Sequence, residues 1–235
     1  MASSGLNKNI KKAVASLIKP LSDRNRDIIL RRFGLKTGQP ETLESIGQSY
    51  GITRERVRQI EEYAIKNLRS SLPDRQAGGL EAAAVLTKPY FDFTAAMLEE
   101  HGGFVPEQDL FKKFSGQTSE NNVENLSLTF LLFLRPDFHK SQENDEVNSY
   151  WFSNRSASDL ARGLISHMVS VLSSRKKLLD QAGLYEAYKT DEKNKPVSLD
   201  TFLAALSLSK GIDRNVFEEY GLADWPEIRP RGVRD

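Results

Sequence analysis

Thr42-Leu-Glu-Ser-Ile-Gly-Gln-Ser-Tyr-Gly51, followed directly by Ile52-Thr-Arg-Glu-Arg-Val-Arg-Gln-Ile-Glu61, is the stretch on which the fold turns. Thr42 is suited to cap a helix that carries Leu43, Ile46 and Tyr50 as far as Gly51. Thr53 caps a longer one, with Val57, Ile60, Ala64 and Leu68 on its inner side. Two helices joined by a tight glycine turn make a helix-turn-helix, and small Gly47 falls where the two approach most closely. With that core inside, Arg54, Glu55, Arg58, Gln59 and Glu62 fall on the outer face of the second helix. A major groove can use such side chains: Arg bonds guanine bidentately, Glu accepts from cytosine N4, and Gln pairs with adenine. They occupy the first turns of the second helix, where such motifs touch bases. The same charges also fit a plain solvated, salt-bridged face. The turn spacing and the basic charge of this part of the chain favour the first reading.

Upstream, Ile10, Val14, Leu17 and Ile18 form one apolar helical face, stopped by Pro20. Ser22 caps the next helix, with Asp23 in its first turn, and Ile28, Ile29 and Phe33 run to Gly34. Residues 1–72 are therefore expected to be a helix-turn-helix bundle of about four helices. Residues 73–86, which include Pro73 and Gly78-Gly79, read as a linker. In 87–155, helical patterns over Thr87–Glu100, from Pro106 to Phe114 and over Asn122–Leu134 precede hairpin-like flanks, Phe138-His-Lys140 and Tyr150-Trp-Phe152. Three helices then a hairpin is the order of a winged helix, and a three-helix bundle with an irregular loop fits the pattern equally well. Trp151 and Phe152 read as core more readily than as a partner surface. Residues 156–225 read as a further small helical domain, open to a second winged-helix-like arrangement. It has a long helical stretch from Ser158 to Tyr188 broken at Gly183, a helix capped by Ser198, and another helix over Asp213–Tyr220. Residues 226–235 read as a tail without a stop signal, compatible with a chain that continues. The expected class is mainly α.

The chain has 235 residues, enough for two or three domains, with 39% hydrophobic and 28% charged residues, an ordinary globular mix. Its net charge of +1 hides an asymmetry: residues 1–75 hold fifteen Lys and Arg against eight Asp and Glu, a balance of +7, and the remainder balances to −6. The basic first third points to a polyanion partner, and the acidic remainder does not. The absence of cysteine excludes disulfides and thiolate metal sites, and the longest apolar run, about Leu126 to Leu134, is half of a membrane span. No secretory signal is read at Met1–Lys12, so a cytoplasmic protein is expected. Neither a phosphate-binding loop nor a metalloprotease motif occurs, and His101, His139 and His167 are singletons. His101-Gly-Gly103 reads as a helix end rather than an oxyanion loop, and His167 as a packed helix residue. No catalysis, cofactor or metal is expected.

Leu21-Ser-Asp-Arg-Asn-Arg-Asp-Ile-Ile-Leu-Arg-Arg-Phe-Gly-Leu35, Thr42-Leu-Glu-Ser-Ile-Gly47 and Gly51-Ile-Thr-Arg-Glu-Arg-Val-Arg-Gln-Ile-Glu61 resemble region 4 of bacterial sigma-70-type sigma factors. The resemblance covers about Leu21 to Arg69. It implies double-stranded promoter DNA as partner, read at the −35 element, with docking on the β flap of RNA polymerase. It further implies that Arg54, Glu55, Arg58 and Gln59 read bases and that Thr42 and Leu43 face phosphates, with Arg56 and Arg69 as weaker phosphate candidates. Where the family usually has basic residues, this chain has Tyr63 and Asn67, which removes two phosphate contacts. Nothing in the chain resembles the sigma region that melts the −10 element, so the chain alone is not expected to open a promoter. A second expectation is an adaptor or inhibitor that binds the polymerase flap by protein contact. More loosely, Thr87 to Phe152 resembles winged-helix domains of polymerase accessory subunits; Asn122–Leu134 carries Glu124 and no Lys or Arg, which favours protein contact there.

Overall fold

A computed structural model describes residues 5–72, 82–192 and 194–229 of the chain. The class is mainly α, as the apolar spacing predicts. Four helices come first: α1 (Leu6–Ile18), α2 (Asp23–Arg32), α3 (Leu43–Tyr50) and α4 (Arg54–Ser71). Their caps are the expected ones, since Ser22, Thr42 and Thr53 each accept the backbone N–H three residues on. There follow α5 (Ala82–Glu100), β1 (Phe104–Pro106), α6 (Glu107–Ser115), α7 (Val123–Phe133), β2 (His139–Ser141) and β3 (Tyr150–Phe152). The order ends with α8 (Arg155–Arg175), α9 (Gln181–Lys189), α10 (Leu199–Leu208), β4 (Ile212–Arg214) and β5 (Tyr220–Leu222). Among the described residues no helix is long and apolar enough to cross a membrane.

Contacts divide the chain into two compact units, Met1–Thr94 with Gln108–Phe138, and Ala95–Glu107 with His139–Asp235. In the first unit, Ile28, Ile46 and Val57 are fully buried, and Leu43, Tyr50, Ile52 and Ile60 pack against them. Gly51 closes α3 in the left-handed region at φ 62°. Gly47 is required for a different reason: a Cβ there would lie 2.7 Å from the Ile52 carbonyl oxygen, so only glycine lets the turn fold back onto α3. Ion pairs fix α2 across the pair: Arg31 grips Glu41 with two bonds of 2.9 and 2.7 Å, and Arg32 reaches Glu61 at 3.1 Å. The buried face of α1, with Ile10, Val14 and Leu17, packs on α7, where Lys11 meets Glu124 at 2.8 Å. The rings of Phe33 and Phe130 lie 4.9 Å apart.

The second unit holds both sheets. β3 is central in the order β1-β3-β2, antiparallel to both neighbours, with Val105 and Lys140 opposite Trp151. Trp151 is 2% exposed, and its indole donates to Glu107 Oε1, which Lys140 approaches at 2.7 Å, so core packing accounts for it. A core of this unit joins the neighbouring Tyr150 to Leu164, Met168, Leu172 and Phe202.

Several local expectations differ from the structure. The stretch Asp213–Tyr220 is the antiparallel hairpin β4–β5, not a helix. Asn215 Oδ1 accepts from the Phe217 and Glu219 amides and Glu218 is held at φ 62°, which closes a turn where a helix would need continuous i to i−4 bonding. The break expected at Gly183 lies between Arg175 and Gln181, because Lys176 ends α8 in the left-handed region and Asp180 accepts the Gly183 amide to start α9. α8 begins at Arg155, capped by Asn154, and Pro106 ends β1 instead of opening α6. α5 begins at Ala82, inside the stretch read as linker. The rest of that linker, 73–81, and the end of the tail, 230–235, lie outside the described residues.

Candidate nucleic-acid interface

Burying Val57, Ala64 and Leu68 on the inner side of α4 leaves Arg54, Glu55, Arg56, Arg58 and Gln59 exposed on the other. In the free protein these side chains bond to one another along the helix. Glu55 accepts from Arg58 Nε and Nη2 at 2.8 and 2.7 Å, and Arg58 Nη1 donates to Glu62. Gln59 accepts from Arg56 at 3.1 Å and donates to Glu55 at 3.3 Å. The Arg58 bonds hold the Glu55 carboxyl down to about 2, and the same bonds push the Arg58 guanidinium up. The stripe is thus charged, solvated and pre-ordered as a chain of donors and acceptors on one helical ridge.

The weaker candidates divide. Thr42 is exposed and its hydroxyl accepts the Ser45 amide, so it organises the first turn of α3. Leu43 is half-buried against the Ile28–Ile46–Val57 core, leaving its backbone rather than its side chain for an outside partner. Arg69 is turned away: its Nη2 donates to the Phe133 carbonyl at 3.0 Å and its guanidinium lies 5.1 Å from that ring.

A cleft of about 710 Å³ borders the stripe, lined by Arg58 and Glu62 and by Arg32, Lys66, Arg69 and Phe133 among others. Lys66 was legible as the next helical repeat after Glu62; Arg32 and Phe133 come from other helices and left no sequence signal. Tyr63, 61% exposed, stands beside the stripe. Among the described residues no group of His, Asp or Glu is placed to hold a metal ion.

A helix-turn-helix with this turn and this outer ridge agrees with the match of residues 17–70 to the family Sigma-70, region 4. A Sigma-70 region 4 domain therefore occupies that part of the chain. The RNA polymerase sigma factors SigA of Listeria monocytogenes serovar 1/2a and Listeria innocua serovar 6a are each 39% identical to this chain over 67 residues, 28% of its length and 18% of theirs. The chain thus spans less than a fifth of the length of these curated relatives.

Proposed function

We propose that this protein is a transcription factor whose region 4-like helix-turn-helix reads promoter −35-like duplex DNA in the major groove. It would act beside bacterial RNA polymerase, in initiation or its regulation. The observation that carries this reading is the exposed ridge Arg54, Glu55, Arg58 and Gln59, backed by a fully buried Val57. Arg58 is assigned to a guanine, Glu55 to a cytosine amine and Gln59 to an adenine. Thr42, the Leu43 amide and Arg56 are assigned to phosphates, and Arg69 only after it leaves Phe133. The reading is tested by selecting bound duplexes from a random pool over a salt series. A TTGACA-like consensus supports it; binding without preference overturns it.

The downstream chain is assigned protein contacts. Helix, strand, two helices and two strands over α5 to β3 follow the chain order of a winged helix, and α8 to β5 repeat three helices and a hairpin. The proposed domains are 1–72, 87–155 and 156–225. α7 offers no Lys or Arg to a groove.

A second reading, docking on the polymerase β flap without sequence-specific DNA binding, is favoured by the ion pairs that already occupy Arg58 and by Tyr63. Capture by an isolated flap, combined with failure to shift any −35 duplex at low salt, would select it.

A further inference from the structure

The ridge of α4 carries one carboxylate that the base-reading assignment does not use. Glu62 lies one turn beyond Arg58, with its side chain 62% exposed, and pairs with Arg58 Nη1. Glu55 takes the other two nitrogens from the preceding turn, so Arg58 is held between two acids along the helix axis. Glu62 also lines a cleft with Lys66 and with Arg32 and Arg69, which are held by Glu61 and by the Phe133 carbonyl; cations along this side attract any nucleic-acid backbone whatever its sequence. Exposed ion pairs at this spacing are individually weak, so the clamp opens to a better partner. The two kinds of partner on DNA are not equivalent. A phosphate that captures Arg58 brings a negative charge against both carboxylates. The guanine edge offers two neutral acceptors, O6 and N7, and leaves the carboxylates in place.

We propose that Glu62 is a specificity-determining residue: with Glu55 it withholds Arg58 from phosphates and releases it to a base edge, lowering non-specific affinity more than specific affinity. This inference rests on the reading that α4 enters the major groove. Glu62 acts through Arg58 and the surrounding potential, and it touches no base.

The experiment compares the full chain with its E62Q variant by fluorescence anisotropy, on a selected duplex and on a scrambled one, over a salt series. E218Q serves as control, because it opens an equivalent exposed Arg–Glu pair in the second unit with the same change in net charge. For E62Q on the scrambled duplex, one added phosphate contact steepens the slope of log K against log salt by about 0.9. The ratio of selected to scrambled affinity falls by about fivefold or more, the weight of a single contact. E218Q changes neither. An unchanged slope and ratio in E62Q, or the same change in E218Q, overturns the proposal. A wild-type protein that does not distinguish the two duplexes overturns the groove reading instead. The scrambled-duplex slope of E62Q then still decides whether Glu62 withholds Arg58.

Discussion

Arg58 is bonded to two carboxylates in the free protein, so a base edge must replace existing bonds rather than fill empty ones. Replacing Arg58 or Gln59 by Ala is expected to cost about 1 to 3 kcal/mol on a selected duplex and to relax preference at one base pair, read by anisotropy against single-position variants. Glu55 gives a second test in the absence of DNA. Its carboxyl is lowered to about 2 in the folded chain from a model-compound value of 4.5, so its contribution is complete above 4.5 and is lost as pH falls toward 2. A carbon-detected NMR titration should therefore place the Glu55 midpoint near 2 and, in R58A, near the ordinary carboxylate value. An ordinary midpoint in the wild type would show that the Arg58 clamp does not form in solution.

At the scale of elements, the turn between α3 and α4 aims the ridge. A methyl at Gly47 would stand 2.7 Å from the Ile52 oxygen, on backbone that cannot swing aside. G47A is expected to lose about 1 to 3 kcal/mol in urea unfolding and to weaken DNA binding beyond that loss, because α4 is re-aimed. T53A, which removes the acceptor for the Arg56 amide, should cost about 1 kcal/mol, with the ridge chemistry unchanged. These elements were legible because caps, glycine turns and apolar spacing are local signals. Asp213–Tyr220 was misread as a helix for the same reason. Its hairpin is set by Asn215 and by backbone bonds between Leu179 and Tyr220 at 3.0 and 2.7 Å, a pairing that no periodicity within the segment records.

At the scale of the molecule, the N-terminal helices lean on one that comes later in the chain. α1 packs on α7, and Phe130, fully buried there, meets Phe33. F130A should cost about 3 to 5 kcal/mol and lower the unfolding midpoint reported by the N-terminal helices, measured by amide exchange on α1 and α2. Protection unchanged in α1 would show that the first unit does not depend on α7.

The sequence by itself determined the helices, their caps, the Gly51 turn, the outward ridge of α4 and the division of charge between head and body. Each follows from residues a few positions apart or from plain counting. Only the tertiary structure decided that α7 covers α1 and that Arg32 reaches Glu61, 29 residues away. The same holds for the capture of Arg69 by Phe133 across 64 residues and for Phe104 pairing with Phe152. Such contacts depend on how distant segments close on one another, and a side chain's chemistry names its possible partners without saying which one the folded chain brings within reach.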